Sequence, residues 1–431
     1  MKATCQALLA VALLLAPAAS HATKVPIPIE GATLNVSFQL QTQFLVNEAG
    51  TPDGTSPSYD IFIRRSRILV NGDISQYFSY LVQVDNANFG KYGNFAGRAI
   101  LQDAWIGWAP TGITGGTVVY IDAGILLIPI SHQLLESTTN FITADVQGDT
   151  FRFPGNAFPA FRDTGIQLRG WALDKKIGFR GGVYEGYAPI TQAAGACAAN
   201  GTGCITPKRH PALGGFINFD IIGSEEGGWL YGAYKWGKDP ILSVGVAGNY
   251  QSLALKNAFG SLTDQKLLAV DSYLNLPMTE QAELVAEATL YLNGNGTGQP
   301  NTGKGLSASV GYRIGSFAPY VAYDYFQVDG CNTTDTPGLT GALLAACDAA
   351  NTRIAKAGIN FFFNKNLNHL NIEFQANHGQ STYGPASITA ATAGYVPTSL
   401  DPLTGTTRRA FNPNLRYPAY KSLLVHWNVI F

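Results

Sequence analysis

Between Leu34 and Val46 the side chains alternate in kind. Leu34, Val36, Phe38, Leu40, Thr42, Phe44 and Val46 occupy one parity, and Asn35, Ser37, Gln39, Gln41 and Gln43 the other. Successive strand side chains point to opposite faces, so this stretch has one apolar face and one face of amides and hydroxyls. No helical period fits either set. The pattern returns along the chain. Phe78, Tyr80, Val82 and Val84 oppose Ser79, Gln83 and Asp85, and Ala282, Leu284, Ala286, Ala288 and Leu290 oppose Glu283, Glu287 and Tyr291. Leu306, Ala308, Val310 and Tyr312 oppose Ser307, Ser309 and Arg313, and Leu370, Ile372, Phe374 and Ala376 oppose Asn371, Glu373, Gln375 and Asn377. The polar sets carry charges, so that face meets water. The repeated apolar face needs a second layer that the sequence does not contain, and lipid supplies it. A closed sheet also satisfies its own backbone polar groups inside hydrocarbon. The reading is all-β: a transmembrane antiparallel β-barrel.

The number of strands follows from parity. Seventeen segments alternate, but single-chain bacterial barrels normally have an even number. Long connections fall at 186–211, 293–303, 328–351 and 378–418, and long connections belong outside the cell with short turns inside. The two requirements clash only if Trp229 to Trp236 is a full strand, so Ser224 to Asp239 is read as an inner turn. Sixteen strands are therefore expected, with eighteen as the alternative if residues 382–418 hide another.

The first residues read as a targeting segment. Lys2 precedes an apolar run from Ala7 to Ala16, broken by Pro17, and Ser20-His21-Ala22 supplies the small residues of a cleavage site. This is a secretory signal spanning 1–22, too short to cross a bilayer as a helix. Residues 23–431 then form a single barrel domain. Charged residues are 13% of the chain and the net charge is -1, which argues against a nucleic-acid partner bound through bulk positive charge. The last strand places Leu423, Val425, Trp427, Val429 and Phe431 on one parity. Trp427 and the terminal Phe431 resemble the signal read by the barrel assembly machinery, which places the chain in the bacterial outer membrane with lipid as its surroundings. Cys197 and Cys204 share one expected outer loop and Cys331 and Cys347 another. Four thiols allow three pairings, and nearest-neighbour disulfides would close each loop on itself.

Several stretches carry a family likeness. Ile63-Arg64-Arg65-Ser66-Arg67-Ile68 with Gly72, then Phe78-Ser79-Tyr80 through Val84-Asp85, resemble the opening of the phosphate-selective porin O and P family. Leu101-Gln102-Asp103-Ala104-Trp105-Ile106-Gly107-Trp108 resembles its next strand, and Phe161-Arg162-Asp163-Thr164-Gly165-Ile166-Gln167-Leu168 the strand after its third loop. The likeness covers about residues 60 to 185 and is architectural beyond that. It implies a sixteen-stranded homotrimeric porin whose third loop folds into the lumen. In that family the strand entering the third loop typically ends Val-Gly-Gln-Phe-Lys. Here the stretch is Asp122-Ala123-Gly124-Ile125-Leu126-Leu127, and residues 127–162 contain no lysine. A phosphate trap needs clustered fixed cations, so the fold and pore carry over and the phosphate preference does not.

The expected constriction loop is 127–162, with Glu136, Asp145, Asp149 and Arg152 as its charges. Arg65 and Arg67, two apart, share a face, and the expense of desolvating a charge turns that face to the lumen. Asp85, Asp103, Arg162 and Arg169 complete the expected pore lining. Wall arginines facing loop carboxylates would set up a transverse field, giving weak selectivity for small hydrophilic solutes or anions in passive diffusion. No enzyme motif and no cofactor is expected. Gly298 to Lys304 has phosphate-loop spacing, but Gly305 replaces the required Ser or Thr. His132 near Glu136 reads as a buried pair or a loop contact. An outer-membrane barrel enzyme using His132 or His426, and a structural or adhesive barrel with a plugged lumen, are the competing readings.

Overall fold

The computed structural model of the chain describes residues 23–48, 56–95, 97, 99–113, 115–147, 150, 161–186, 210–225, 229–237, 239–256, 262–295, 302–329, 351–378 and 420–430. Residues 1–22, expected as a secretory signal, and Cys197, Cys204, Cys331, Cys347, Asp149, Arg152 and Phe431 lie outside the described residues.

Seventeen strands make one sheet. They are β1 (Thr23–Lys24), β2 (Asn35–Asn47), β3 (Ser58–Ser75), β4 (Phe78–Asp85), β5 (Ile100–Trp108), β6 (Val118–Leu127), β7 (Arg162–Ala172), β8 (Ile177–Tyr184) and β9 (Ala212–Ile222). Then come β10 (Ile241–Lys256), β11 (Leu262–Thr279), β12 (Ala282–Gly294), β13 (Gly303–Ile314), β14 (Phe317–Val328), β15 (Thr352–Asn364), β16 (Asn368–His378) and β17 (Tyr420–Ile430). Neighbours in sequence pair antiparallel from β2 onward, and β17 returns to β2 with Val425 opposite Phe44. The ring thus closes on sixteen strands and leaves no edge. The two-residue β1 adds to β2 beyond the end of β17, with Thr23 opposite Val36. No α-helix occurs among the described residues, which hold only the short 3-10 turns Lys91–Gly93 and Gln133–Leu135.

Burial is inverted relative to a water-soluble protein. Along β7 the exposures run Ile166 61%, Gln167 0%, Leu168 46% and Arg169 5%. Apolar side chains face outward and polar ones crowd the interior, as the alternation requires of a barrel in lipid. In β2, Gln39, Gln41 and Gln43 are buried, as are Glu283 and Glu287 in β12 and Asn371, Glu373 and Gln375 in β16.

The connections sort by length. One end carries the links 86–99, 128–161, 185–211, 329–351 and 379–419. The other carries 76–77, 109–117, 173–176, 280–281, 315–316 and 365–367. Residues 223–240 belong to this short-turn end and are its outlier. The segment Trp229 to Trp236 is no barrel strand, as parity demanded. Its entry is forced by Gly223, at φ 67, where a Cβ would lie 2.1 Å from the Pro240 carbonyl oxygen.

Candidate functional site

The third loop leaves β6 at Leu127 and enters the lumen. A kink prepares the exit. Gly124 has φ 135, and a Cβ there would meet the Ala104 carbonyl oxygen at 2.1 Å. Ile128, Ile130 and Leu135 then bury in an apolar cluster with Tyr184, Phe216 and Tyr291 of the wall. Hydrogen bonds trace the crossing. The His132 backbone N–H donates to Asp271 Oδ2 at 2.8 Å, on β11. Gln41 Nε2 donates to the Thr138 carbonyl at 2.9 Å, on β2. Asn360 Nδ2 donates to the Ile142 carbonyl at 2.8 Å, and the Ala144 N–H donates to Glu373 Oε2 at 3.1 Å. Gln147 Nε2 reaches Asp324 Oδ1 at 2.9 Å. The loop therefore touches opposite walls of one cross-section.

Its carboxylate Asp145 meets two arginines. Arg65 Nη2 lies 2.7 Å from Asp145 Oδ1, and Arg64 Nε 2.5 Å from Oδ2. A β-bulge explains the second. Gln41 pairs with Arg65 while Thr42 pairs with Ile63, so Arg64 is the extra residue and both side chains turn inward. Arg65 and Arg67, two apart, are the pair expected on the lumen face, and Arg64 joins them there only through the bulge. The signal was available: apolar parity is odd at Tyr59, Ile61 and Ile63 but even at Ile68 and Val70, so the register must slip between them.

The other expected lining residues are also inside and also paired. Arg67 Nε lies 2.9 Å from Asp85 Oδ2. Arg162, at the start of β7, bonds Asp103 at 3.1 Å. Arg169 grips Asp122 with Nε at 2.7 Å and Nη2 at 3.2 Å, and its guanidinium lies 4.1 Å from the Tyr120 ring centroid. The loop carboxylate Asp145 thus meets wall arginines in direct contact, while Arg67, Arg162 and Arg169 pair with carboxylates of the wall strands themselves. Glu136 does not face these arginines; it sits on the far side beside His132.

The inner turn 223–240 is the feature that sequence reasoning placed but did not use. It rises into the lumen and pairs with the third loop. Tyr231 N–H donates to the Leu135 carbonyl at 2.8 Å, and Ser137 N–H to the Tyr231 carbonyl at 3.0 Å. Ala233 N–H donates to the Asn140 carbonyl at 3.1 Å. Trp229 packs on Trp105 with centroids 4.5 Å apart, and Tyr273 Oη donates to the Ala233 carbonyl at 2.6 Å. Two segments from opposite ends of the barrel therefore form one inner layer.

Charges join this layer. His132 Nε2 lies 2.8 Å from Glu225 Oε2 on the inner turn, and Lys235 Nζ 2.5 Å from Glu225 Oε1. Burial alone would push the His132 pKa down, but the Glu225 and Glu136 carboxylates outweigh it and hold it well above the ordinary histidine value. Burial alone would raise Glu225, but His132 and Lys235 prevail and lower it. His426 Nδ1–H donates to the Ala144 carbonyl of the third loop. Of the phosphate-loop-like stretch, Gly303 and Lys304 open strand β13. Trp427 faces outward and donates to Asn368 Oδ1 at 3.0 Å.

No family model matches the chain, and no curated protein matches it by sequence. Solved structures do. OmpF of Salmonella typhi, in complex with daunomycin, aligns over 95% of this chain and 100% of its own at 12% identity, with a TM-score of 0.51. The outer membrane channel DcaP of Acinetobacter baumannii covers 92% of this chain and 97% of its own at 12% identity, with a TM-score of 0.49. A mutant porin of Rh. blastica covers 92% and 100% at 8% identity, with a TM-score of 0.47. The OmpF alignment supports the barrel fold.

Proposed function

We propose that the chain is an outer-membrane porin, a passive channel for small hydrophilic solutes narrowed by two inserted segments. One observation carries the reading: a closed ring of sixteen strands whose outside is apolar and whose inside is polar and ionic. A ring of this size is wide enough for an aqueous passage. The likeness of the opening strands to the phosphate-selective porin O and P family supports the same reading along with homotrimeric assembly, and the alternation ending at Trp427 and Phe431 supports insertion by the barrel assembly machinery. The likeness does not extend to phosphate. Among the described residues the buried acids, such as Asp85, Asp145 and Glu373, outnumber the buried Arg and Lys thirteen to eight, and the part-buried Arg162 and Lys235 together with the charged His132 narrow that margin. Every wall arginine named above is held by a carboxylate. The fixed charge inside therefore favours weak cation preference over an anion trap.

A planar bilayer with a salt gradient tests this. Open-channel current is expected, with a reversal potential of cation sign well short of the ideal cation limit. Absence of current would favour a structural barrel, and a reversal potential near the anion limit would overturn the charge argument. Arg65→Ala combined with Arg67→Ala is expected to shift the reversal potential further toward cations, because Asp145 and Asp85 each lose a counter-charge. An unchanged potential would place these residues away from the conducting path.

A further inference from the structure

The layer between the third loop and the inner turn leaves one group of polar atoms unanswered. His132 Nδ1, both carboxylate oxygens of Glu136 and Glu287 Oε1 are buried and have no hydrogen-bond partner. They converge. Nδ1 lies 3.4 Å from Glu136 Oε1 and 3.8 Å from Glu287 Oε1, and one ligand atom from each residue falls within 4.8 Å of the others. Two carboxylates cannot satisfy each other. Their gap must hold a proton or a cation.

We propose that His132, Glu136 and Glu287 bind one divalent transition-metal ion of the zinc, cobalt or manganese type. Donors bonded at about 2.1 Å around a tetrahedral ion lie roughly 3.4 Å apart, a spacing that Nδ1 and Glu136 Oε1 already have and that Glu287, at 3.8 Å from Nδ1, reaches by a small side-chain shift. The donor set suits it as well. One imidazole with two carboxylates matches these ions better than calcium or magnesium, which prefer oxygen throughout.

The surroundings already orient the ligands. Nε2 of His132 faces Glu225 at 2.8 Å, and Lys235 fixes that carboxylate in turn. A carboxylate accepting the far N–H of a ligating histidine leaves the other nitrogen as a lone pair aimed at the metal. The ring is stacked between Tyr231 and Tyr273, with centroids 4.8 and 4.6 Å away and interplanar angles of 21° and 16°. His132 and Glu136 flank the short turn Gln133–Leu135, which brings positions four apart to one side. The ion would tie the third loop to β12 directly and to the inner turn through Glu225, bracing the constriction from both ends of the barrel. The proposal does not rest on the channel reading, because binding is measured without conduction.

The test uses the full, untagged mature chain, folded in detergent and stripped with a chelator. Titration with Zn²⁺ and Co²⁺ is expected to show one saturable ion per chain, and Co²⁺ a visible absorption band that Zn²⁺ displaces. Glu136→Gln with Glu287→Gln preserves side-chain size and should weaken binding at least a hundredfold. Glu225→Ala should weaken it by about 10–100-fold with unchanged stoichiometry, because it removes the orienting acceptor and none of the three ligands. No saturable binding by the wild-type chain would overturn the proposal, leaving a shared proton in the gap. So would binding that the double substitution leaves intact. If the double variant fails to fold, the wild-type Co²⁺ spectrum and its displacement still decide.

Discussion

Replacing Asp145 by alanine is expected to shift the channel toward anions and to destabilise the barrel at once. Asp145 receives Arg64 Nε at 2.5 Å, Arg65 Nη2 at 2.7 Å and the Val146 N–H at 2.9 Å. All three side chains are buried or nearly so. Removing one member of a buried ionic group strands the charge left behind, at a penalty of about 3–5 kcal/mol. Here two guanidiniums lose their main acceptor. Arg65 keeps Gln41 Oε1 at 2.7 Å and Arg64 keeps Asn88 Oδ1 at 3.4 Å, so partial compensation places the loss toward the lower end of that range. The arginines then present a larger positive charge to the lumen. Asp145→Asn retains an acceptor but not the charge. It should shift selectivity nearly as far with a smaller loss of stability. The readouts are the reversal potential in a salt gradient and the denaturant midpoint of the folded barrel. If neither moves in Asp145→Ala, these groups are solvated in the working channel and the contact pairs carry no weight there.

The barrel was legible because a period of two survives wherever one face meets lipid and the other water. Each parity set named from the sequence separates into outward and inward residues, down to Leu424, His426 and Asn428 inside β17. The strand number was legible through parity and connection length. The partners of the charged residues were not. Asp145 contacts arginines some eighty positions earlier, and the route of a loop across a lumen leaves no periodic trace. Arg64 lay between these cases. The slip in parity after Ile63 reveals a bulge, but reading it requires both halves of β3 to be compared. The inner turn is the most instructive. The Trp229 to Trp236 segment holds four aromatic residues in eight positions, which is why it resembles a seventeenth strand. Its chemistry is that of a strip with a ladder to make, and the ladder is made with the third loop instead of the barrel wall. Glu136 and Tyr231 even form a parallel bridge. His132 and Glu136 were visible as a pair, while Glu225 and Glu287 reach them only through that docking.

Glu283→Ala should release the inner turn and raise single-channel conductance. Glu283 is fully buried in β12. It accepts Arg313 Nε at 2.6 Å, Asn275 Nδ2 at 2.9 Å, and the backbone N–H groups of Lys235 at 3.2 Å and Trp236 at 3.1 Å. One carboxylate thus fastens the far end of the turn to the wall. Arg313 completes the clamp, its guanidinium 4.5 Å from the Trp236 ring centroid. With alanine, Arg313 retains only the carbonyls of Gln281 and Gly315, at 3.1 and 3.0 Å, and two backbone donors lose their acceptor. Each buried hydrogen bond to a charged group is worth about 1.5–3 kcal/mol, so the loss approaches that of a broken buried ion pair, about 3–5 kcal/mol. The ring itself is held by its own ladder, so the loss falls mainly on the segment docked inside it. Once loosened at Trp236, the turn also weakens its hold on Asn140 and Leu135 of the third loop. Larger and noisier conductance steps are expected, with protease cleavage appearing near residues 229–237. Glu283→Gln keeps the shape and one acceptor oxygen and should fall between the variant and the wild type. A folded Glu283→Ala barrel with wild-type conductance would show that the inner turn stands clear of the permeation path, and the constriction would then belong to the third loop alone.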